Sequence, residues 1–334
     1  MPILLHRGGL KKVNQQQEIK LEEFFDFTRD EVENKISVTI PDEKIVKVLQ
    51  GGKRLRSLLA HLSFKVCTAG NETPQQYQRA LEGAVSIELA HGASLVHDDI
   101  IDKDAERRGK PAFHVKEGIG RAILTGHKML AHGFDIALSH GKDVAKLYVD
   151  SWNEVVNGEL DEVNFNREDF KTIPTSVTKS AIFEAYNKII DMKTAALFSS
   201  ACKAGALEAD MTGDILNVFS DYGREIGLAY QLADDLVDLA NGEMIDSVII
   251  PLLNKLEDKT IKKGSLKARE IKRKFAKHQD EIQEFYIDEI KRHVKNAEEL
   301  GKSNIIPSSS YKDMLIDAPT YIINRMLQEI SVSI

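Results

Sequence analysis

The spacing of apolar residues is the feature that most limits what this chain can fold into. Along most of the sequence they recur every three or four positions, as on one face of a helix, and few stretches alternate with a period of two. The segments with helical spacing are residues 19–35, 43–50, 54–68, 76–103, 119–139, 143–164, 176–206, 211–240, 246–256, 265–299 and 311–330. The pattern therefore predicts an all-α protein.

The breaks between these segments are short turns. They contain glycine, asparagine or proline, as at Gly51-Gly52, Gly141 and Pro307, and none resembles an interdomain linker rich in Gly, Ser or Pro. We therefore expect residues 1–334 to form a single domain, a helical bundle around a central apolar cavity. Residues 1–17 are expected to be a flexible N-terminal segment of that domain.

Composition and charge argue against several classes of function. No stretch of 18 apolar residues occurs, so no transmembrane segment is expected, and the N-terminus lacks the apolar region of a signal peptide. Cys67 and Cys202 lie in no metal or redox spacing, which favours reduced thiols and a cytoplasmic location. The net charge of -7 argues against nucleic acid as a partner, and an anionic substrate would have to be met by local cations.

The motif Asp-Asp-x-x-Asp occurs twice, each time after a long apolar stretch. Its carboxylates are those of Asp98, Asp99, Asp102, Asp234, Asp235 and Asp238. On a helix the first and last aspartates of a motif share one face, where like charges repel. Carboxylate oxygens suit hard divalent cations, and Mg²⁺ also binds phosphate oxygens. One copy is commonly an incidental, solvated helix end, but two facing copies would hold magnesium ions that bridge a diphosphate.

Basic residues that could meet a diphosphate occur at three places. A glycine turn, Gly51-Gly52, opens into a helix and is followed by cations, where backbone N–H groups also favour an anion. Each basic site taken alone is more often a solvated surface. The residues concerned are Lys53, Arg54, Arg56, Arg107, Arg108 and Lys193.

In combination these motifs resemble those of the all-trans polyprenyl synthases, also called trans-isoprenyl diphosphate synthases. The similar sequences are GGKRLR at 51–56, HGASLVHDDIIDKDAERRGKP at 91–111, KTAALF at 193–198, GLAYQLADDLVDL at 227–239 and YIINR at 321–325. The resemblance runs from about residue 45 to the C-terminus. It implies a magnesium-dependent enzyme that joins an allylic prenyl diphosphate to isopentenyl diphosphate, head to tail, giving an all-trans prenyl diphosphate of C20 or longer.

The resemblance also implies a role for each matching residue, and a homodimer. Mg²⁺, three ions per site with substrate bound, would be held by Asp98, Asp99, Asp102, Asp234, Asp235 and Asp238. The allylic diphosphate would be contacted by Arg107, Lys193 and Gln231. The diphosphate of isopentenyl diphosphate would be held by Lys53, Arg56, His91 and Arg108. The residues near the reacting carbons would be Thr194 and Tyr230.

Product length depends, in this family, on residues one and two helical turns before the first aspartate motif. Ala90, Ala93 and Ser94 occupy these places here, and their small size implies a product of at least 20 carbons. Ile87 and Phe134 are candidates for the floor of the tunnel that holds the growing chain. Alternatively, the small residues only allow close helix packing, and another helix or a dimer partner supplies the floor.

The sequence departs from the family after the second aspartate motif. The family's loop with two lysines is replaced by a shorter segment, ANGEMIDSVII, before Pro251. Either another lysine such as Lys255 takes their place, or the enzyme is slower or acts only with a partner. The family's Gly-Gln pair reads Gly158-Glu159, so Glu159 and Asp161 either add acidity to the site or face solvent.

Two other functions stay open on the sequence. A non-catalytic or partner-dependent subunit of a prenyl synthase heteromer would account for the missing lysines, although such subunits typically lose an aspartate motif and both are intact here. A class I terpene cyclase also uses Asp-Asp-x-x-Asp, but cyclases usually carry an asparagine/serine/glutamate motif as the second metal site and lack GGKxxR.

Overall fold

The computed structural model describes residues 15–166, 179–241, 252–253, 256 and 268–334. Its helices, in chain order, are α1 (Gln15–Thr39), α2 (Glu43–Leu49), α3 (Leu55–Thr68), α4 (Pro74–Ile101), α5 (Phe113–Glu117), α6 (Ile119–Ser139), α7 (Lys142–Asn166), α8 (Lys179–Ile190), α9 (Ala196–Glu208), α10 (Asp214–Ala240), α11 (Ala268–Lys277), α12 (Gln279–Gly301) and α13 (Ser310–Leu327). A π-helical turn, Asp191–Ala195, joins α8 to α9, and a 3₁₀ turn, Gln328–Ile330, follows α13. Two short antiparallel strands, β1 (Glu106–Arg107) and β2 (Lys110–Pro111), form a hairpin after α4.

The prediction of an all-α protein is confirmed, with small differences in the helix bounds. The segment predicted as one helix over residues 176–206 is divided by the π-helical turn. Helix α4 begins at Pro74 because Thr73 forms a capping box with Gln76, and proline is well suited to the first helical position. Helix α1 begins at Gln15, and the rest of the predicted N-terminal segment lies outside the described residues.

Helix α9 lies at the centre of the bundle, in contact with α3, α4, α7 and α10. Most of its small side chains are buried, and its one aromatic side chain, that of Phe198, is 0% exposed. Glycines allow the close approach of its neighbours: a Cβ on Gly205 would lie 1.9 Å from the carbonyl oxygen of Ala60, and one on Gly223 would lie 2.3 Å from that of Phe198. The helices that carry the sequence motifs are therefore packed backbone to backbone around α9.

Within the described ranges, none of the helices is both long enough and apolar enough to cross a membrane.

Candidate active site

Both aspartate motifs open onto one cavity of about 390 Å³, here called the diphosphate cavity. Asp98 near the end of α4 and Asp234 near the end of α10 line it from different helices. The described residues that line it are Gly52, Lys53, Arg54, Leu55, Arg56, Glu88, His91, Ser94, Leu95, Asp98, Arg107, Arg108, Lys193, Thr194, Leu197, Tyr230, Gln231 and Asp234. The structure thus brings together side chains from four of the five sequence motifs; the fifth, YIINR at 321–325, is not among the described lining residues.

Three aspartates at or beside the cavity have surroundings that disfavour their negative charge. Asp98 in the last turn of α4 and Asp102 at its C-cap lie where the helix dipole is negative. Asp102 is exposed and is not among the described residues that line the cavity, and Asp234 lies almost two turns before the end of α10. Burial raises the pKa of Asp98 to about 7; Lys193 opposes this change, and neighbouring carboxylates add to it. Burial likewise raises the pKa values of Asp102 and Asp234 above the ordinary value for aspartate. A bound cation would therefore stabilise the charged form of these three carboxylates.

These three carboxylates fit magnesium. In the described part of the chain, no side-chain hydrogen bond or ion pair engages Asp98, Asp102 or Asp234, so their oxygens are free to act as ligands. The same part of the chain contains no group of three His, Cys, Asp or Glu side chains able to hold a metal ion by itself. Mg²⁺ typically binds one or two carboxylates and takes its other ligands from water and substrate phosphates, which matches this arrangement.

The second aspartate of each motif is turned away from the cavity. Asp99 is 2% exposed and accepts a hydrogen bond of 2.7 Å from Nε of Arg107. Asp235 is 3% exposed and accepts hydrogen bonds from the Tyr186 hydroxyl and from Nε2 of Gln231. Burial raises the pKa of Asp235 to about 7. The sequence predicts both as metal ligands; in the structure, each accepts a hydrogen bond from a residue that lines the cavity, Arg107 or Gln231.

The glycine turn before α3 directs its three cations in different ways. Gly51 and Arg54 both have left-handed backbone, with φ of 79° and 57°. The Arg54 side chain is buried, pairs with Glu88 at 2.7 Å and Glu33 at 2.8 Å, and donates to the Leu49 carbonyl. Arg54 therefore holds the turn in place, while Lys53 and Arg56 face the cavity.

Arg56 presents a positive charge that no carboxylate neutralises within the described residues. Its guanidinium lies 4.3 Å over the ring of Phe198, and its Nη1 lies 3.2 Å from Nε2 of His91. Burial and the nearby arginines hold the pKa of His91 well below its usual range, so the neutral ring accepts this hydrogen bond. Nε of Arg56 is buried and has no hydrogen-bond partner among the described residues. An orphaned guanidinium N–H at a cavity wall suits an anionic ligand.

The pair of arginines after the first aspartate motif forms the tip of the β1–β2 hairpin. Arg108 and Gly109 have φ of 54° and 69°, as both central residues of a type I′ turn require. On the two sides of this turn, Arg107 donates a hydrogen bond to Asp99, and Arg108 donates one of 3.1 Å to the carbonyl oxygen of Gln50. Both arginines line the diphosphate cavity.

The π-helical turn places Lys193 and Thr194 in the cavity wall. A Cβ on Gly158 of α7 would lie 2.8 Å from the backbone nitrogen of Lys193, so the π-helical turn can pack this closely only against a glycine. The hydroxyl of Thr194 donates to Oε1 of Gln231 at 2.8 Å, and this fixes the orientation of that amide. Turns of this kind commonly occur at functional sites.

Two carboxylates of α7 face Lys193. Its Nζ lies 2.8 Å from Glu159 and also pairs with Glu162. Although burial alone lowers the pKa of Lys193, the charges of Asp98, Glu162 and Glu159 raise it above its ordinary value. Glu159 therefore adds acidity at the site, whereas Asp161 pairs with Lys188 on the surface at 3.1 Å. The sequence interpretation missed Glu162, which the helical phase of α7 brings to Lys193 three residues after Glu159.

The residues proposed to set product length have different surroundings. Ala90 and Ile87 line a second, narrow hollow below the diphosphate cavity, here called the lower cavity, and Ser94 lines the diphosphate cavity itself. Ala93 is fully buried in a core cluster and is not among the described residues lining either cavity. Phe134 is 38% exposed, and its ring centroid lies 6.2 Å from that of Tyr148. It is not among the described residues that line the lower cavity, so it does not form the floor of that cavity.

Residues 42–246 match the family described as polyprenyl synthetase, which is more than half of the chain. The chain belongs to the polyprenyl synthetase family. The family match ends just after the second aspartate motif and includes every residue assigned to the diphosphate cavity. Of the segment ANGEMIDSVII, residues 242–250 lie outside the described residues, as do Pro251 and Lys255.

Curated proteins with similar sequences are prenyl diphosphate synthases. One is the short chain isoprenyl diphosphate synthase of Methanothermobacter thermautotrophicus, 35% identical over 59% of this chain and 57% of that protein. Another is the geranylgeranyl diphosphate synthase of Methanosarcina mazei, 32% identical over 64% of each. The chain thus spans somewhat less than two thirds of the length of these two relatives.

Solved structures of the same fold match nearly the whole chain. The decaprenyl diphosphate synthase of Rhodobacter capsulatus has a TM-score of 0.76 at 22% identity, and the match covers 92% of this chain and 99% of that one. The geranylgeranyl pyrophosphate synthetase of Pyrococcus horikoshii has a TM-score of 0.69 at 25% identity, with the same coverage. The helical bundle is therefore that of the polyprenyl synthetase family.

Proposed function

We propose that this protein catalyses the magnesium-dependent, head-to-tail condensation of isopentenyl diphosphate with an allylic prenyl diphosphate, giving an all-trans prenyl diphosphate of C20 or longer. One observation carries the proposal: among the described residues, Asp98 and Asp234 form no ion pair, nor do Arg56 and Arg108, and all four line a single cavity above an apolar hollow. The names of the similar proteins, which include geranylgeranyl and geranylfarnesyl diphosphate synthases, support the same reaction.

The allylic diphosphate binds, in this proposal, between the two aspartate motifs. Asp98, Asp102 and Asp234 hold Mg²⁺, with Asp238 one turn further along α10 as an additional ligand. When bound, magnesium stabilises the charge that develops on the departing diphosphate. Arg107 and Lys193 donate hydrogen bonds to the same diphosphate, for which Lys193 leaves its carboxylate partners on α7.

The diphosphate of isopentenyl diphosphate binds on the opposite side of the cavity. Lys53, Arg56 and Arg108 supply positive charge there, and neutral His91 orients the Arg56 guanidinium. The glycine turn allows the backbone to approach the ligand closely, since Gly51 has left-handed φ and Gly52 has no side chain. Two diphosphates held on opposite walls bring the reacting carbons together between them.

The reaction proceeds by ionisation of the allylic diphosphate. The C–O bond to diphosphate breaks, the double bond of isopentenyl diphosphate forms the new C–C bond to the allylic carbon, and the released diphosphate takes the proton that is lost. Thr194 and Tyr230 line the same cavity, and in this proposal they lie near the reacting carbons. Leu95, Leu197 and the Tyr230 ring exclude water, which would otherwise capture the cation.

Product analysis tests the proposal directly. The purified protein is incubated with Mg²⁺, labelled isopentenyl diphosphate and a C5, C10 or C15 allylic diphosphate, and the extracted lipids are sized. Linear labelled products of C20 or longer are expected. Cyclic hydrocarbon without isopentenyl incorporation would instead identify a terpene cyclase. Absence of turnover except with a second protein would identify a partner-dependent subunit, the alternative favoured by the lysine-poor sequence after Asp238.

Arg56→Gln is expected to weaken binding of isopentenyl diphosphate selectively. Loss of a charge-assisted contact of about 1.5–3 kcal/mol corresponds to a rise in KM of roughly 10- to 150-fold. The KM for the allylic substrate should change by less than about threefold, because that diphosphate lies against the aspartate motifs. Steady-state kinetics with each substrate varied in turn measures both values. Arg121→Gln, at an exposed ion pair with Glu117, is the matched control; equal rises for both substrates would contradict the assignment.

We also propose a homodimer formed through α6 and α7. Large apolar side chains are exposed on both helices: Ile119, Ile123, Leu124, Phe134, Leu138, Val149, Val156 and Leu160. A contiguous exposed apolar face is typical of an interaction site. Sedimentation velocity should give twice the chain mass of 37.4 kDa, and Leu124→Glu, at a side chain 69% exposed, should shift the protein toward monomer. A monomeric wild-type protein at micromolar concentration would exclude this interface.

A cytoplasmic location is proposed as well. Its support is that Cys67 and Cys202 are buried free thiols. Reduced cysteines are typical of cytosolic proteins. Fractionation of cells that express the chain tests the location.

A further inference from the structure

The lower cavity continues the diphosphate cavity along α4 toward the start of that helix. It is narrow, about 40 Å³, and Leu197 lines both cavities. Its walls come from α4, α6, α7 and α9 and are mostly small or apolar side chains. The side chains that α9 contributes are those of Leu197, Ser200, Ala204 and Glu208.

The lining residues fall into levels along these helices. Ala90, Trp152 and Leu197 come first below the diphosphate cavity, since α9 begins directly after the turn that holds Lys193. Ser86 and Ser200 follow one helical turn deeper. Ala204 lies a further turn deeper, and Gly83 and Glu208 mark the deepest level. A hydrocarbon tail that starts near Asp98 would pass these levels in this order.

The deepest level ends on buried charge. Glu208 is 1% exposed, its Oε1 lies 2.8 Å from Nδ1 of His140, and its Oε2 accepts from Nε of Arg79 at 2.8 Å. Arg79 also donates to the Glu208 carbonyl oxygen and to Asp210. His140 makes a further contact with Glu82 at 3.3 Å. The end of this apolar passage is thus a closed ion cluster, with Glu208 at its surface.

We infer that the Glu208 ion cluster is the floor of the product tunnel and limits the product to about C20. The inference rests on the proposed function and assigns a length-determining role to α9, away from the small residues before the first aspartate motif. Ile87, Leu147 and Trp152 can change rotamer to admit a chain, because no hydrogen bond or ion pair holds their side chains among the described residues. The Glu208 side chain cannot move aside for a hydrocarbon without losing its hydrogen bonds with His140 and Arg79, which would leave a buried charge without partners.

The depth of the passage is consistent with this limit. The first turn below Asp98 is left for the diphosphate and its metal ions. From Ser94 to Gly83 there are 11 residues of α4, or about 16 Å at 1.5 Å per residue. A trans isoprene unit spans about 5 Å at ordinary bond lengths, so about three units fill the passage. A C15 allylic substrate therefore reaches the floor, and one further addition gives a C20 product.

Two variants of α9 change the floor in opposite directions. Glu208→Ala removes the carboxylate while Arg79 keeps Asp210 and His140 keeps Glu82, so no buried charge loses every partner. We expect its main product to lengthen by at least one unit, to C25 or longer. Ala204→Phe places a ring one helical turn above Glu208. We expect its main product to shorten by about one unit, to C15.

Sizing of labelled products from the purified variants, with circular dichroism to verify folding, tests the inference. Glu72→Ala removes a carboxylate that pairs with Lys65 away from both cavities, and its products should match those of the wild type. Unchanged product length in a folded Glu208→Ala or Ala204→Phe protein, or a wild-type product mainly longer than C20, would overturn the inference. If Glu208→Ala does not fold, the Ala204→Phe product alone decides. Absence of any prenyl product from the wild type would refute the proposed function instead.

Discussion

Asp98→Asn is expected to lower kcat by a factor on the order of 10³ while leaving the fold intact. The carboxylate of Asp98 faces the diphosphate cavity and has no hydrogen bond or ion pair among the described residues, so its charge is available to a ligand. Asparagine keeps the size of the side chain but loses the charge that holds magnesium. Removal of one preorganised electrostatic contact to a transition state typically costs about 10²–10³ in kcat, and loss of metal adds to this.

Although Asp98→Asn is expected to be less active than the wild-type protein, it should be at least as stable. Burial and neighbouring carboxylates raise the pKa of Asp98 to about 7, which means that the native fold disfavours its charged form. The position near the C-terminus of α4 adds an unfavourable dipole interaction. Thermal unfolding without Mg²⁺ should therefore give a Tm for Asp98→Asn that equals or exceeds the wild-type value.

A matched Asp→Asn control is available on α7. Asp161 forms a surface ion pair with Lys188 and does not line the diphosphate cavity. Asp161→Asn should retain kcat within about twofold, as is usual for exposed ion pairs. The metal assignment would be abandoned if Asp98→Asn kept near-normal turnover at saturating Mg²⁺, or if both variants lost activity equally.

Glu88→Gln is expected to lower the free energy of unfolding by about 3 kcal/mol, at the lower end of the range for breaking a buried ion pair. Glu88 is 2% exposed and accepts hydrogen bonds from Nη1 of Arg54 at 2.7 Å and from the Ser57 hydroxyl at 2.5 Å. The amide leaves the buried guanidinium of Arg54 with Glu33 as its remaining carboxylate partner, and Glu33 is 38% exposed. Binding of isopentenyl diphosphate should also weaken, because Arg54 holds the turn that presents Lys53 and Arg56.

Urea unfolding followed by circular dichroism measures this loss of stability. Glu43→Gln is the matched control, since its ion pair with Lys47 spans 3.8 Å and its side chain is 89% exposed. That change should cost less than about 0.5 kcal/mol. A loss below about 1 kcal/mol for Glu88→Gln would mean that the Arg54 cluster contributes little to the fold.

The sequence predicts most of the fold because helical periodicity is a local property. The two aspartate motifs were also informative, since the i, i+4 spacing places the first and last carboxylates on one face. The role of the middle aspartates depends on what packs behind the helix. Arg107 engages Asp99, and Tyr186 with Gln231 engages Asp235. Arg107 and Gln231 lie only eight and four residues from the aspartates that they contact, whereas Tyr186 lies 49 residues from Asp235. Which of these side chains packs behind each helix depends on the tertiary fold, so the local sequence pattern does not predict it.

Other features of the site depend on the phase of one helix against another. Asp161 and Glu162 are neighbours in sequence, but a rotation of about 100° per residue sends one to solvent and the other to Lys193. The π-helical turn that presents Lys193 is set by close contact with Gly158, which is 35 residues away in sequence. Phe134 was a plausible floor by its position in α6, yet it faces outward, and the deepest polar lining comes from Glu208 on α9.

Arg108 shows where durability and ligand affinity oppose each other in this protein. Its φ of 54° is a conformation that an asparagine or glycine adopts with less strain, and an ordinary side chain held there costs on the order of 1–3 kcal/mol. Selection for heat resistance alone would thus favour replacement of the arginine. The cation at the hairpin tip contacts the glycine turn opposite, so under the proposed function its contribution to binding a diphosphate comes at a cost in stability.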